Sequence, residues 1–259
     1  KISLVRADKR IEKLYYDFKV PYDAAMLFGD EDYKHIETIK HLNIAANYID
    51  FTEPLTERFF DGAARACEYL KDNYYGKYAP HEATVDCIGH THIDVAWLWT
   101  YAQTKEKAQR SFSIVVELMK RYPEYRFTIS QPQLLEYLKE EAPTVYADIK
   151  ELVKQGRIDI EGAMWVEPDC NLPSGESLVR QIMWGKKFIK DEFDMDSKIL
   201  WLPDVFGYSA AIPQILKKSG VDKFVTSKIG WNEFNQIPYD LFKWVGVDGT
   251  EVSTYFMTC

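Results

Sequence analysis

A chain of 259 residues with 46% hydrophobic and 28% charged residues is an ordinary globular mixture, long enough for one large α/β domain or two smaller ones, and this excludes a disordered polyelectrolyte. The formal net charge of -8 speaks against nucleic acid or an anionic membrane surface as the main partner and leaves neutral ligands, sugars among them, open. No apolar run approaches the ~18 residues that a bilayer-spanning helix needs, and no signal peptide is visible.

Residues 1–32 show no strong period, and residues 33–78 predict two helices. Ile36, Ile39, Leu42, Ala46 and Ile49 recur at helical spacing, as do Phe60, Ala63, Cys67 and Leu70. Pro54 suits the first turn of the second helix and Gly76 its end. From residue 84 the rhythm changes to strand and helix in alternation. Strands are predicted at Thr84–Gly89, Arg126–Ser130, Ile158–Glu161, Lys198–Leu202 and Lys223–Ser227. Between them lie helices at Thr104–Arg121, Leu134–Lys154 (broken near Pro143), Glu176–Phe193 and Ile212–Lys218. Such alternation predicts an α/β fold on a parallel sheet, open or closed into a barrel. Lys1 in place of Met, and the strand-like Glu251–Phe256 just before Cys259, read as cut ends.

The four cysteines, Cys67, Cys87, Cys170 and Cys259, are widely spaced with no C-x-x-C. Cys67 and Cys87 lie in apolar stretches and read as small core hydrophobes, which points to a reducing, cytoplasmic compartment. The 7 Trp and 17 Tyr serve a large core first and sugar-stacking platforms second.

Polar residues gather where the predicted strands end, the place where parallel α/β folds build their sites. The densest group is His90-Thr91-His92-Ile93-Asp94-Val95-Ala96-Trp97. Two imidazoles and a carboxylate at alternate positions of an extended segment project to one side, a reasonable donor set for zinc; the alternative is a strand end with solvent-facing side chains. In Trp201-Leu202-Pro203-Asp204-Val205-Phe206-Gly207-Tyr208, Asp204 can be a ligand, a nucleophile, both, or a helix N-cap. Glu167 and Asp169 beside Trp165 can shape a polar ligand site, and Asp169 can equally start an Asx turn before Pro173. Lys228 can orient a carboxylate or be an ordinary exposed lysine.

These motifs resemble glycoside hydrolase family 38, the α-mannosidases. His-Thr-His-Ile-Asp-Val-Ala-Trp is similar to that family's H-x-H-x-D-x-x-W signature, and Trp-Leu-Pro-Asp-Val-Phe-Gly-Tyr-Ser to its second signature. Gly162–Ser177 is similar to the version in the bacterial and cytosolic branch. The resemblance implies a seven-stranded β/α-barrel, incomplete here, with residues 81–259 as its N-terminal part and residues 1–80 as a helical lead-in. It implies retaining, zinc-dependent hydrolysis of terminal α-linked mannose, with cobalt able to replace zinc in an N/O site. By the same resemblance His92 and Asp94 are metal ligands, Asp204 is both ligand and nucleophile, and Trp97 and Phe206 line the mannose site. Lys228 stands where some members carry Arg, Asp169 joins the substrate contacts, and His90 supports the ligands from behind. The implied partner is an α-mannoside oligosaccharide, and a homo-oligomer is left open for the full-length protein. The family's fourth ligand, a His, and its general acid, an Asp, fall further downstream; all 5 His here lie at or before His92.

Two other zinc hydrolases start from similar motifs. Metallo-β-lactamase-like sites continue H-x-H-x-D with another His, where this chain has Val95. Amidohydrolase-like barrels need further His on later strands. Neither accounts for the Asp204 motif. An inactive fragment that only binds zinc or sugar is the third alternative.

Overall fold

A computed structural model of the protein describes residues 8–78, 86–235 and 237–257, and the chain divides into two compact units, Lys1–Val85 and Asp86–Cys259.

The first unit is helical. α1 spans Lys9–Ala25, α2 Tyr33–Ala46 and α3 Glu57–Leu70; a π-helical turn at Lys71–Tyr75 then leads into the short α4, Gly76–Tyr78. Asp8, Asp32 and Thr56 cap the first three, each side chain accepting a backbone N–H of the first turn. α1 corrects the aperiodic reading of residues 1–32. Its contact face is Ile11, Leu14 and Phe18, packed on a core of Leu42, Ala45, Ile49, Phe59, Ala66 and Leu70. That spacing is helical, but Pro21 inside the helix and the polar residues around it obscure the period. Two boundary expectations also shift. Pro54 precedes the Thr56 cap and so lies outside α3, and Gly76 adopts ordinary helical angles and continues the chain into α4. On α3 the buried face is Phe59, Ala63, Ala66 and Leu70, with Phe60 and Cys67 rotated to its half-buried margin.

The second unit alternates strand and helix. In order it contains β1 (Gly89–His90), α5 (Tyr101–Arg121), β2 (Phe127–Ile129), α6 (Pro132–Glu141), α7 (Pro143–Lys154), β3 (Ile158–Ile160), α8 (Gly175–Phe193), β4 (Ile199–Leu202), α9 (Ile212–Lys218), β5 (Lys223–Thr226), β6 (Leu241–Val245) and β7 (Glu251–Phe256). Local chemistry sets the ends. Thr100 and Gln103 form a reciprocal capping box that starts α5 three residues earlier than its apolar period. Prolines at the first helical position open α6 and α7, and Pro143 makes the predicted break. The strand predicted over Thr84–Gly89 shortens to β1; residues 84 and 85 lie outside the described residues.

The strands form two sheets. β1, β2 and β3 are parallel neighbours in that order; the second sheet runs β4-β5-β7-β6, parallel except that β6 is antiparallel to β7. The barrel, expected to be incomplete, is not closed: among the described residues no backbone ladder joins β3 to β4. The Glu161 carboxylate stands in the gap. Its Oε2 accepts from Ser197 Oγ at 2.7 Å, Lys198 N at 3.0 Å and Ile199 N at 3.1 Å, taking donors that a neighbouring strand's carbonyls would otherwise meet. β6 is the other departure, absent from the sequence reading although its half-buried alternation and the Asp248-Gly249 turn are a hairpin pattern.

Each sheet carries its own core. Phe112, Met119, Leu135, Leu138, Ile149 and Ile160 pack around the first, and Leu178, Ile182, Leu200, Leu202, Leu216 and Phe224 around the second. α8 serves both, giving Leu178 and Ile182 to one and Ile189 to the other. Cys67, Cys87 and Cys170 are free thiols. Cys87 is exposed, which corrects its reading as a core residue: it sits in the unpaired stretch before β1, with Ile88 also turned outward. No helix among the described residues is long and apolar enough to cross a membrane.

Candidate active site

The polar residues predicted at strand ends meet in space. His92 and Asp94 follow β1, Ser130 and Gln131 follow β2, Glu167 lies on the loop after β3, Asp204 follows β4 and Lys228 follows β5. His92, Asp94 and Asp204 each offer a ligand atom, and the three atoms lie within 4.8 Å of one another. His92 Nε2 is 3.0 Å from Asp94 Oδ1 and 3.4 Å from Asp204 Oδ2. Donors on a tetrahedral ion with bonds of about 2.0–2.1 Å stand roughly 3.3 Å apart, so one imidazole and two carboxylates at these separations suit zinc in both chemistry and spacing.

The loop carrying Asp204 is held tightly. Tyr208 donates its hydroxyl proton to the Val205 carbonyl at 2.5 Å and meets Thr226 Oγ1 at 2.6 Å; Ser227 Oγ donates to the Pro203 carbonyl at 2.6 Å. A backbone bond from Ser209 N to the Cys170 carbonyl ties it to the loop after β3. α9 begins only at Ile212, which removes the N-cap reading of Asp204. Lys228 Nζ lies 2.9 Å from Asp204 Oδ1 and 3.4 Å from the centre of the Trp231 ring, a cation held between a carboxylate and an aromatic face.

Behind the ligands lies a buried polar chain. The Glu167 side chain is only 2% exposed; its Oε2 is 2.6 Å from His92 Nδ1 and its Oε1 accepts from Ser130 Oγ at 2.9 Å. Ser130 Oγ is in turn 2.8 Å from His90 Nε2, and the His90 ring stacks on Trp201. Burial, with the neighbouring His92 charge, pushes His90 down to about 4. Burial also pulls His92 down, but the hydrogen bonds and charges of Glu167 and then Asp94 outweigh it and lift the imidazole to about 9. Gln131 braces the same region, its amide donating to the Ile93 carbonyl at 2.9 Å and its oxygen accepting from Glu167 N at 3.3 Å. The sequence reading gave Glu167 no specific task. Its only signal is the polar Ser130-Gln131 pair after one strand and an acid after the next.

The remaining predicted residues stand apart from this cluster in their contacts. Trp97 is 65% exposed and lies edge-on to Trp99, whose indole N–H reaches Thr104 Oγ1 at 3.0 Å; Thr104 in turn donates to the Asp94 carbonyl. Phe206 is exposed. Asp169 forms the Asx turn, its Oδ1 accepting from Asn171 N at 2.8 Å and Leu172 N at 2.7 Å, and those bonds lower its pKa.

Comparisons with known proteins converge. Residues 82–259 match the family profile described as glycosyl hydrolases family 38 N-terminal domain. Alpha-mannosidase G of Dictyostelium discoideum is 37% identical over 250 residues, covering 96% of this chain and 22% of that protein. An alpha-mannosidase of Saccharomyces cerevisiae is 37% identical over 273 residues, covering 98% of this chain and 24% of that protein. The chain thus spans less than a quarter of the length of these curated relatives. Among solved structures, an alpha-mannosidase from Enterococcus faecalis aligns with a TM-score of 0.56 at 21% identity, over 66% of this chain and 19% of that one. A 4-alpha-glucanotransferase from Thermococcus litoralis aligns with a TM-score of 0.50 at 18% identity, over 65% of this chain and 26% of that one. Both are likenesses of fold.

Proposed function

The chain belongs to glycosyl hydrolase family 38, and from that premise we propose that it supplies the first part of the catalytic domain of a retaining, zinc-dependent α-mannosidase. The observation that carries the reading is the meeting of His92, Asp94 and Asp204 ligand atoms within 4.8 Å, although Asp204 lies more than a hundred residues from the other two. Residues 81–259 are then the barrel's N-terminal part and residues 1–80 its lead-in.

In this proposal His92 Nε2, Asp94 and Asp204 hold the ion, with cobalt able to replace zinc. The bound ion supplies Lewis acidity toward the sugar hydroxyls. The chain's own groups do the rest. One oxygen of Asp204 pairs with Lys228 and the other faces His92, so the carboxylate is fixed from two sides. It remains 38% exposed, accessible to an anomeric carbon. Asp204 attacks that carbon as the bond to the aglycone oxygen breaks and the acid/base protonates the departing oxygen; water, giving its proton back to the acid/base, then displaces Asp204 from the glycosyl-enzyme with net retention. Trp97 and Phe206, large rings with open faces, offer stacking surfaces for mannose. The net charge of -8 suits an uncharged α-mannoside oligosaccharide. The free, widely spaced thiols support a cytoplasmic location.

A slow fluorinated mannoside tests the nucleophile in the intact protein. Peptide mass mapping is expected to find the label on Asp204, and the first-formed product of an α-mannoside to be α-mannose. Label on Glu167 or Asp169, or β-mannose as first product, overturns the assignment.

A further inference from the structure

We propose that Glu167 is a positioning residue that takes opposite nitrogens of the two histidines of the His-x-His motif, so that His92 turns Nε2 toward the cation site while His90 cannot compete for it. The inference rests on the metal-site reading above and concerns what makes one histidine the ligand.

Hydrogen-bond accounting gives the assignment. A carboxylate only accepts. Glu167 Oε2 at 2.6 Å from His92 Nδ1 therefore calls for a proton on Nδ1, which makes Nε2, facing Asp94 and Asp204 at 3.0 and 3.4 Å, the nitrogen left for a cation to take. Glu167 Oε1 takes the one hydroxyl proton of Ser130, so Ser130 Oγ can only accept from His90, which calls for the proton on His90 Nε2. A single buried acid thus dictates both rings, one directly and one through a hydroxyl. His90 is committed as a donor and stacked on Trp201, turned away from ligation although it stands only two residues from His92.

The surroundings fit this task. At 2% exposure, bulk water does not replace the Glu167 contacts. Its backbone N–H is held by Gln131, which also grips the Ile93 carbonyl between the histidine and aspartate ligands. Gln131 is itself 1% exposed and Ser130 4%. Three strand ends are therefore joined behind His92 before any ion arrives, and the ring's rotation is set by that frame.

The intact protein is compared with Glu167→Gln and Glu167→Leu. The readouts are zinc affinity by chelator competition, the visible spectrum of the cobalt-loaded protein, and the melting temperature without metal. Glu167→Leu is expected to weaken zinc binding roughly 10–100-fold and to change the cobalt spectrum. Glu167→Gln keeps the shape and one acceptor oxygen, which cannot serve both Nδ1–H and the Ser130 hydroxyl. It is expected to lose about tenfold, at the lower end of the same range, while the metal-free protein melts within a few degrees of wild type. If both variants, or the Gln variant alone where Leu fails to fold, bind zinc with wild-type affinity and give an unchanged cobalt spectrum, Glu167 is only a packing residue and the inference is overturned. If the wild-type protein takes up neither metal, the metal reading itself fails and this inference falls with it.

Discussion

Trp97 shows how exposure separates function from packing at the level of one residue. A side chain that is 65% exposed contributes little to a core, and among the described residues its ring contact is the edge-on one with Trp99. Trp97→Ala is expected to change unfolding free energy by no more than about 0.5 kcal/mol. Mannoside kcat/KM in the intact protein should fall roughly tenfold or more, on the order of 1.5 kcal/mol of lost stacking. A large melting-temperature loss with normal kinetics would return Trp97 to the scaffold. His92 and Asp94 were legible in the sequence as ligand types alternating at a strand end, whereas Asp204 alone read equally as a helix N-cap and was singled out by the resemblance of its motif. Glu167 was not legible, because its role depends on the folding together of β1, β2 and β3, which no local spacing records. Asp169, placed among the substrate contacts from the sequence, faces its own backbone at Asn171 and Leu172.

Among elements, the junction of β3 and β4 is the distinctive one. Three donors, Ser197 Oγ, Lys198 N and Ile199 N, converge on one Glu161 oxygen where a strand ladder is absent. Removing the carboxylate leaves them without a partner on that side. Glu161→Ala is expected to destabilise the protein by about 3 kcal/mol in urea unfolding, as befits several hydrogen bonds to a charged acceptor. Unchanged stability would show that water replaces it fully. The seam also explains what the sequence withheld. Helices with caps and prolines, α5 through α9, declare their own ends, whereas strands of two to four residues carry too few positions to encode which neighbour they join. The alternation gave the strands and their order in the chain, but not the break into sheets of three and four. β6 hid behind the exposure of every second residue, and α1 behind Pro21.

Over the whole chain, stability in acid is expected to depend on a few acids that tie helices together. Glu192 on α8 accepts from Lys139 of α6 at 2.6 Å and from Tyr146 and Lys150 of α7 at 2.8 and 3.2 Å. The hydrogen bond from Lys139 leads in lowering its pKa from 4.5 to about 2, against the opposing effect of burial. A depressed carboxyl stabilises the folded state above its unfolded pKa. The contribution is therefore complete above about pH 4.5 and fades as pH falls toward 2. Glu192→Gln should lower thermal stability at pH 7 and flatten its decline between pH 4.5 and 2. Parallel melting curves for the two proteins across that window would exclude the linkage.

The side-chain join at Glu161 also bears on how the second unit breathes. His92 and Asp94 lie beyond one sheet and Asp204 beyond the other, so an ion held as proposed would join the two sheets whose backbone pairing is missing. Opening that seam would break such coordination and expose the Lys198 and Ile199 amides to solvent together. Amide hydrogen exchange at those two positions should accordingly slow when zinc is added, by up to ~100-fold at a hundred times the dissociation constant. Amides inside β2, paired on both sides, should respond less. Equal rates with and without zinc would mean that the metal adds nothing to the contacts that already hold the sheets together. Where the rates differ, metal supply governs how long the two sheets stay shut as well as whether the carboxylates are ready to react.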